Sequence, residues 1–176
     1  MSKFIANTFS SRKQDYSTPQ DLFDKLNEEF HFDVDVCADE ANNKVSLYYS
    51  EEDDALSKDW IGTCWMNPPF NNKKKWTIKA YNEHIKHGST IVCLLPARTN
   101  TEWWHNYCMK GEIRFIKGRP IFKGMKYGLP QPLAIVIFGR DIGVMKSYSI
   151  HSKTLRYSYF TSFVKTMDTH CFQNAS

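Results

Sequence analysis

The 176-residue chain has no apolar run long enough to cross a bilayer; stretches such as Thr90 to Leu95 and Leu133 to Phe138 suit buried strands instead. Met1 to Arg12 holds no apolar stretch of signal-peptide length. The five cysteines, Cys37, Cys64, Cys93, Cys108 and Cys171, contain no C-x-x-C pair and are odd in number, so neither a zinc site nor a disulfide framework is expected. Three of them, Cys37, Cys64 and Cys93, sit inside apolar runs, where a free thiol packs as a small hydrophobe. None of the six histidines falls in a metal or triad pattern. Internal repeats and low-complexity linkers are absent as well. The expectation is a cytoplasmic protein of one domain, with no resident metal. Its 41% hydrophobic content and mean hydropathy of −0.52 fit a globular fold.

The formal charge of +4 conceals a division along the chain. Residues 1–60 carry 6 Lys+Arg against 14 Asp+Glu, a net of −8, and residues 61–176 carry 17 against 5, a net of +12. An acidic first third suits a small cationic or hydroxyl-bearing ligand, and a basic remainder interleaved with aromatics suits a nucleic acid.

The periodicity predicts alternating helices and strands. Ser17-Thr18-Pro19 reads as an N-cap with proline at the first helical position, opening a helix from Gln20 to Phe30 with Leu22, Phe23, Leu26 and Phe30 on its buried face. Phe32 to Ala38 alternates as a strand, and Asp39 to Lys44 suits a turn or a short helix start. Thr63 to Met66 is a second strand. Trp76 to His87 is a helix closed by Gly88, and Thr90 to Leu95 is a strand stopped by Pro96. Thr101 to Met109 reads as helix; Glu112 to Ile116 and Leu133 to Phe138 read as strands. This order argues for an α/β domain with a doubly wound sheet, whose ligands sit beyond the carboxyl ends of the strands. Asp35, Asn67 and Pro96 fall at such ends.

The densest chemistry is Asn67-Pro68-Pro69-Phe70, directly after Cys64-Trp65-Met66. Such a string is expected by chance in about one chain of this length per thousand. A bare turn is the plain alternative. The Asn67 amide oxygen and the Pro68 carbonyl are adjacent acceptors, and proline has no N–H to compete. Two acceptors on one NH2 group draw its lone pair out of ring conjugation, and Phe70 offers a stacking surface for an extruded base. Other candidates are weaker. Asp53-Asp54-Ala55-Leu56 with Asp59-Trp60 is a candidate for reading an adenine amine. Asp35 suits a ribose or an amino group. Lys73, Lys74 and Lys75 oppose the macrodipole of the helix they open, which favours phosphate contact. In the later basic and aromatic stretch, with Trp103, Trp104, His105, Arg114, Lys117 and Lys126, the DNA-contact candidates are Arg98, Arg119 and Lys123.

Taken together these residues resemble the phage-type DNA N6-adenine methyltransferases, a small Dam-like family, from about Ser17 to Arg140. The resemblance rests on Thr18-Pro19, Phe32 to Ala38, Asp53 with Ala55-Leu56, Asp59-Trp60, Asn67 to Phe70, Leu95 to Thr99, Trp103-Trp104-His105, Glu112 to Arg119 and Leu133 to Phe138. It implies an S-adenosylmethionine-dependent enzyme with a Rossmann-like sheet in one domain. It further implies double-stranded DNA as partner with the target adenine flipped out, and a bacterial host cytoplasm. Asn67, Pro68, Pro69 and Phe70 correspond to the catalytic motif. Thr18, Pro19, Asp35, Cys37, Ala38, Asp53, Ala55 and Asn67 correspond to the cofactor side. Residues 1–16 are then an arm, 17–140 the methyltransferase domain and 141–176 an extension.

The chain departs from larger amino-methyltransferases in lacking an F-x-G-x-G loop after the first strand; Asp35-Val36-Cys37-Ala38 stands there instead. The same geometry at Asn67 would serve cytosine N4 or a protein amide, and a DNA-binding module without cofactor is the reading outside enzymes. The expectation taken forward is methyl transfer to adenine N6.

Overall fold

The computed structural model describes residues 17–69, 71–122 and 125–139, together with the backbone of 145–149. Phe70, Lys123, the arm 1–16 and the tail beyond 149 lie outside the described residues. Four strands and two helices build the centre: α1 Gln20–Phe30, β1 Val34–Asp35, β2 Thr63–Met66, α2 Lys73–His87, β3 Thr90–Pro96 and β5 Leu133–Phe138. α3 Glu102–Asn106, a 3₁₀ turn Cys108–Lys110, β4 Glu112–Lys117 and β6 Met145–Ser149 complete the described elements. The six strands form one sheet in the order β1-β2-β3-β5-β4-β6.

The α/β class and the single sheet stand, and the sheet is partly parallel. β1, β2 and β3 are mutually parallel, β5 runs antiparallel to both β3 and β4, and β6 is parallel to β4. The cause lies in the connections. A helix carries the chain between β2 and β3, whereas among the described residues no helix stands between β4 and β5, and that pair closes as an antiparallel hairpin. The hairpin connection 118–132 consequently lies at the sheet edge where β3 ends, since Pro96 pairs with Leu133.

Helices on both faces make the central strands apolar throughout. Trp65, Val92, Leu94, Ile135 and Ile137 pack toward α1 with Leu22, Phe23, Leu26 and Phe30. The alternate residues Met66, Ile91, Cys93, Leu95 and Val136 pack with Ala80 of α2, Trp60 and Trp104. Burial pushes the Cys64 thiol up to about 12 and raises those of Cys93 and Cys108 well above their ordinary value, so all three pack as inert apolar groups.

Three element ends differ from expectation. α2 starts three residues early, at Lys73, and ends as expected at Gly88, whose φ of 70° is the left-handed cap glycine accepts without strain. The helix expected over Thr101 to Met109 is interrupted at Tyr107 (φ −126°, ψ −60°) and continues as the 3₁₀ turn. The strand expected over Phe32 to Ala38 is only two residues long as a ladder, although hydrogen bonds to β2 run from Asp33 (to the Thr63 carbonyl, 2.8 Å) to Val36 (to the Trp65 carbonyl, 3.0 Å).

One buried ion network fastens α1 to β4. Arg114 donates to both oxygens of Glu29, at 2.6 and 2.8 Å, and through Nε to Glu112 at 2.6 Å, with its guanidinium over the Phe30 ring. Arg114 is therefore a structural residue, not a free cation of the basic stretch. Among the described residues no helix is long and apolar enough to cross a membrane.

Candidate active site

β2 ends at Met66 between two parallel neighbours, so Asn67 and Pro68 emerge at the carboxyl edge of the sheet. Pro68 is buried and Asn67 half-buried. The Asn67 side chain does not hang free at this edge: Nδ2 donates to the hydroxyl of Thr18 at 3.1 Å. Thr18 is only 3% exposed and precedes α1, which starts at Gln20 without any side-chain cap. The capping role expected of Thr18 is thus corrected; its hydroxyl is turned toward Asn67. This contact fixes the rotation of the amide. With the nitrogen held by Thr18, the atom on the other arm of the fork is the oxygen, an acceptor.

The loop after β1 is built around Asp35, which is 2% exposed. One carboxylate oxygen accepts from the backbone N–H of Cys37 at 3.2 Å, and the other from that of Lys44 at 3.1 Å. Tyr48 and Tyr49 fold back beside β1, with the Tyr49 carbonyl receiving the Ala38 N–H at 3.2 Å. Desolvation raises the Asp35 carboxyl from its ordinary 3.8 to about 6, opposed by the two backbone N–H groups and by Lys44. Asp35 thereby organises residues 36–44 from inside, in a segment where a glycine-rich loop is missing. Cys37 and Ala38 are half-buried on that loop.

Between this loop and the start of α1 lies a cavity of about 530 Å³, lined by Ser17, Thr18, Pro19, Asn43 and Lys44, with Ile121 of the hairpin connection as its far wall. Its volume is within the range of small-molecule sites. Thr18 belongs both to this wall and to the Asn67 contact, so cavity and Asn-Pro-Pro string adjoin. Asn43, Lys44 and Ile121 were not singled out by motif; only the folding-back of the loop brings them there.

The acidic candidates separate. Asp53 is exposed and accepts from the Ser50 N–H (2.9 Å) and hydroxyl (2.8 Å), which hold its carboxyl below the usual range. Ala55 is buried, and its carbonyl accepts the Trp60 indole N–H at 2.8 Å. Asp59-Trp60 is not at this edge. Asp59 precedes β2 and meets Lys86 (2.6 Å) and His87 (3.2 Å) at the end of α2, on the opposite side of the sheet, and Trp60 is fully buried. That region holds the one described group of side chains spaced to ligate a cation, Asp59, Glu83 and His87. Both carboxylates are already charge-compensated, Glu83 by Lys79 at 2.6 Å and Asp59 by Lys86.

The described cationic candidates fall on the carboxyl edge of the sheet. Lys73, half-buried, is the first residue of α2; Lys74 and Lys75 are exposed beside it. Arg98, exposed, lies two residues past the end of β3. Burial pushes the Lys73 ammonium down from its ordinary 10.5 to about 7, and the Arg98 guanidinium adds to the effect. Arg119 is exposed on the hairpin connection, which Phe122 and Leu129 anchor into the core on the α1 side.

Comparison with known proteins gives one consistent match. Residues 5–131 match the family model described as DNA N-6-adenine-methyltransferase (Dam). A DNA N-6-adenine-methyltransferase of Haemophilus phage HP1 is 36% identical over 116 residues, covering 63% of this chain and 66% of that protein. One of Escherichia phage T1 is 31% identical over 101 residues, covering 56% of this chain and 42% of that protein. The aligned stretch is thus just under two thirds of the first relative's length and less than half of the second's.

Proposed function

The chain belongs to the Dam family of DNA N-6-adenine-methyltransferases, and on that premise we propose that it moves a methyl group from S-adenosylmethionine to N6 of adenine in double-stranded DNA. The observation that carries this reading is the Asn67 to Thr18 hydrogen bond at the end of β2. It turns the amide so that an acceptor is presented next to the Pro68 carbonyl.

In this mechanism the Asn67 oxygen and the Pro68 carbonyl each accept one hydrogen of the flipped adenine's amine. The lone pair then rotates out of conjugation and toward the cavity side. When bound, S-adenosylmethionine supplies a methyl group on a sulfonium, an electrophile that a neutral amine can attack. Thr18, Pro19 and the Asp35 loop with Cys37 and Ala38 would hold it, and the volume of the cavity beside Thr18 supports this reading. Asp53 and Ala55 complete the cofactor side, and Phe70 stacks on the extruded base. As the amine nitrogen takes the methyl carbon it would displace a neutral thioether, with the C–S bond breaking as the N–C bond forms, and the proton it sheds would pass by the Asn67 and Pro68 oxygens to water. The chain's own share is mainly alignment, which is worth up to roughly 7–11 kcal/mol where it is good. Lys73, Lys74, Lys75, Arg98, Arg119 and Lys123 are proposed to carry the DNA backbone. The phage origin of both relatives supports action in the cytoplasm of a bacterial host.

The test is to incubate duplex DNA with the protein and methyl-labelled S-adenosylmethionine, then digest to nucleosides. Label in N6-methyldeoxyadenosine is expected. Label in N4-methyldeoxycytidine, or none in DNA, would overturn the proposal.

A further inference from the structure

At the cavity beside Thr18, a chain of three side chains joins α1 to the loop after β1. Asp24 accepts from the Gln20 amide nitrogen at 2.7 Å, and the Gln20 amide oxygen accepts from the Lys44 ammonium at 2.8 Å. These two partners fix the rotation of the amide, because a carboxylate takes only the nitrogen and an ammonium only the oxygen. Lys44 is held through its backbone as well, its N–H donating to the buried Asp35 at 3.1 Å. Gln20 and Lys44 both line the cavity, and among its described lining residues Lys44 alone is charged. The amide nitrogens of Asn42 and Asn43 beside it are committed, to Asp39 at 2.9 Å and to the Val45 carbonyl at 3.1 Å. The facing wall is the start of α1, which has no side-chain cap, so its positive end acts in the same sense as the ammonium. The cavity therefore favours the negative end of whatever it holds.

We propose that Lys44, positioned by Gln20, binds the carboxylate at the amino-acid end of S-adenosylmethionine. The inference rests on the cofactor reading above and deepens it by naming which end of the molecule meets which wall. S-adenosylmethionine carries a sulfonium and an ammonium, both positive, and its carboxylate is the single negative group. The Lys44 ammonium attracts that group and repels the other two. It has three N–H donors, and a carboxylate meets it charge to charge, which the neutral Gln20 oxygen does not. The bond to Gln20 holds the ammonium at the cavity wall. Thr18 lines the same cavity and touches Asn67, so the rest of the cofactor extends from Lys44 toward the catalytic string.

The experiment is calorimetric titration of the full chain without DNA, comparing S-adenosylmethionine with its decarboxylated analogue. It uses wild type, Lys44→Met, Lys44→Arg, Gln20→Leu and the double variant Lys44→Met with Gln20→Leu, each checked for fold by circular dichroism. Wild type is expected to prefer S-adenosylmethionine by about 10- to 100-fold, the scale of one hydrogen bond to a charged group. That comparison needs no variant, and equal wild-type affinities overturn the inference. Lys44→Met is expected to lose a similar factor for S-adenosylmethionine and to hold the decarboxylated analogue within about 2-fold. Lys44→Arg keeps most of the affinity. Gln20→Leu causes a smaller loss, again for the carboxylate-bearing ligand alone, and adds nothing in the Lys44→Met background. Additive losses in the double variant overturn the positioning role given to Gln20. Equal losses for both ligands in Lys44→Met, or no loss for either, overturn the inference, and adenine methylation by wild type then leaves the methyltransferase reading intact. Wild-type protein that binds neither ligand and methylates no DNA overturns the inference and that reading together.

Discussion

Thr18 and Asn67, 49 positions apart in the chain, are joined by a 3.1 Å hydrogen bond from the Asn67 amide nitrogen to the threonine hydroxyl. The first residue lies at the approach to α1 and the second at the end of β2, so the contact exists only because α1 packs across the strand. It decides which way the amide faces. Thr18→Val keeps the shape and removes the acceptor, leaving a half-buried N–H unsatisfied at a cost of about 1–3 kcal/mol. We expect kcat to drop by about 10- to 100-fold while KM for DNA changes much less, and Thr18→Ser to restore most of the rate. Equal loss in the valine and serine variants would contradict the role given to the hydroxyl.

Arg114 gives a prediction about the fold alone. It is 2% exposed and neutralises Glu29 and Glu112 at once. Arg114→Met strands two carboxylates, one of them fully buried, and should destabilise the protein by about 3–5 kcal/mol in urea unfolding. Adding Glu112→Gln should recover part of that loss, because the two sites share one network. Additive losses would show that the two residues are not coupled.

The Asp35 carboxyl makes stability depend on pH. Its value in the folded protein, about 6, lies above the ordinary 3.8, so its contribution is fully present below about pH 4 and is lost as the pH rises through 6. Two units correspond to roughly 3 kcal/mol. Asp35→Asn loses one acceptor for the loop amides at every pH, yet it does not titrate. Urea midpoints at pH 4, 5, 6 and 7 should therefore show wild type losing stability relative to Asp35→Asn across that interval. Parallel pH dependences would place the Asp35 titration elsewhere.

Much of the centre of this molecule is legible in the sequence because its signals are local. Leu22, Phe23, Leu26 and Phe30 announce the buried face of α1, Gly88 announces the end of α2, and the apolar run before Pro96 announces a strand covered on both sides. The Asn-Pro-Pro string is visible for the same reason, being contiguous. Relationships between distant residues are not. Thr18 carries the local pattern of a cap, and only tertiary packing shows that its hydroxyl serves Asn67. Asp59 resembles a ligand-reading residue, but its place before β2 carries it to the opposite edge. Arg114 looks like one more cation in a basic stretch, until Glu29, 85 positions away, claims it. The direction of β5 depends on how the chain returns from β4, which strand periodicity does not encode.

The central claim is that Asn67 aligns an adenine amine for methyl transfer. Its most direct test compares wild type with Asn67→Ala, measuring N6-methyldeoxyadenosine formed in duplex DNA alongside S-adenosylmethionine affinity by calorimetry. The expected result is methyl transfer abolished in the variant and cofactor affinity nearly unchanged. Normal N6-methyldeoxyadenosine formation by Asn67→Ala would contradict the account.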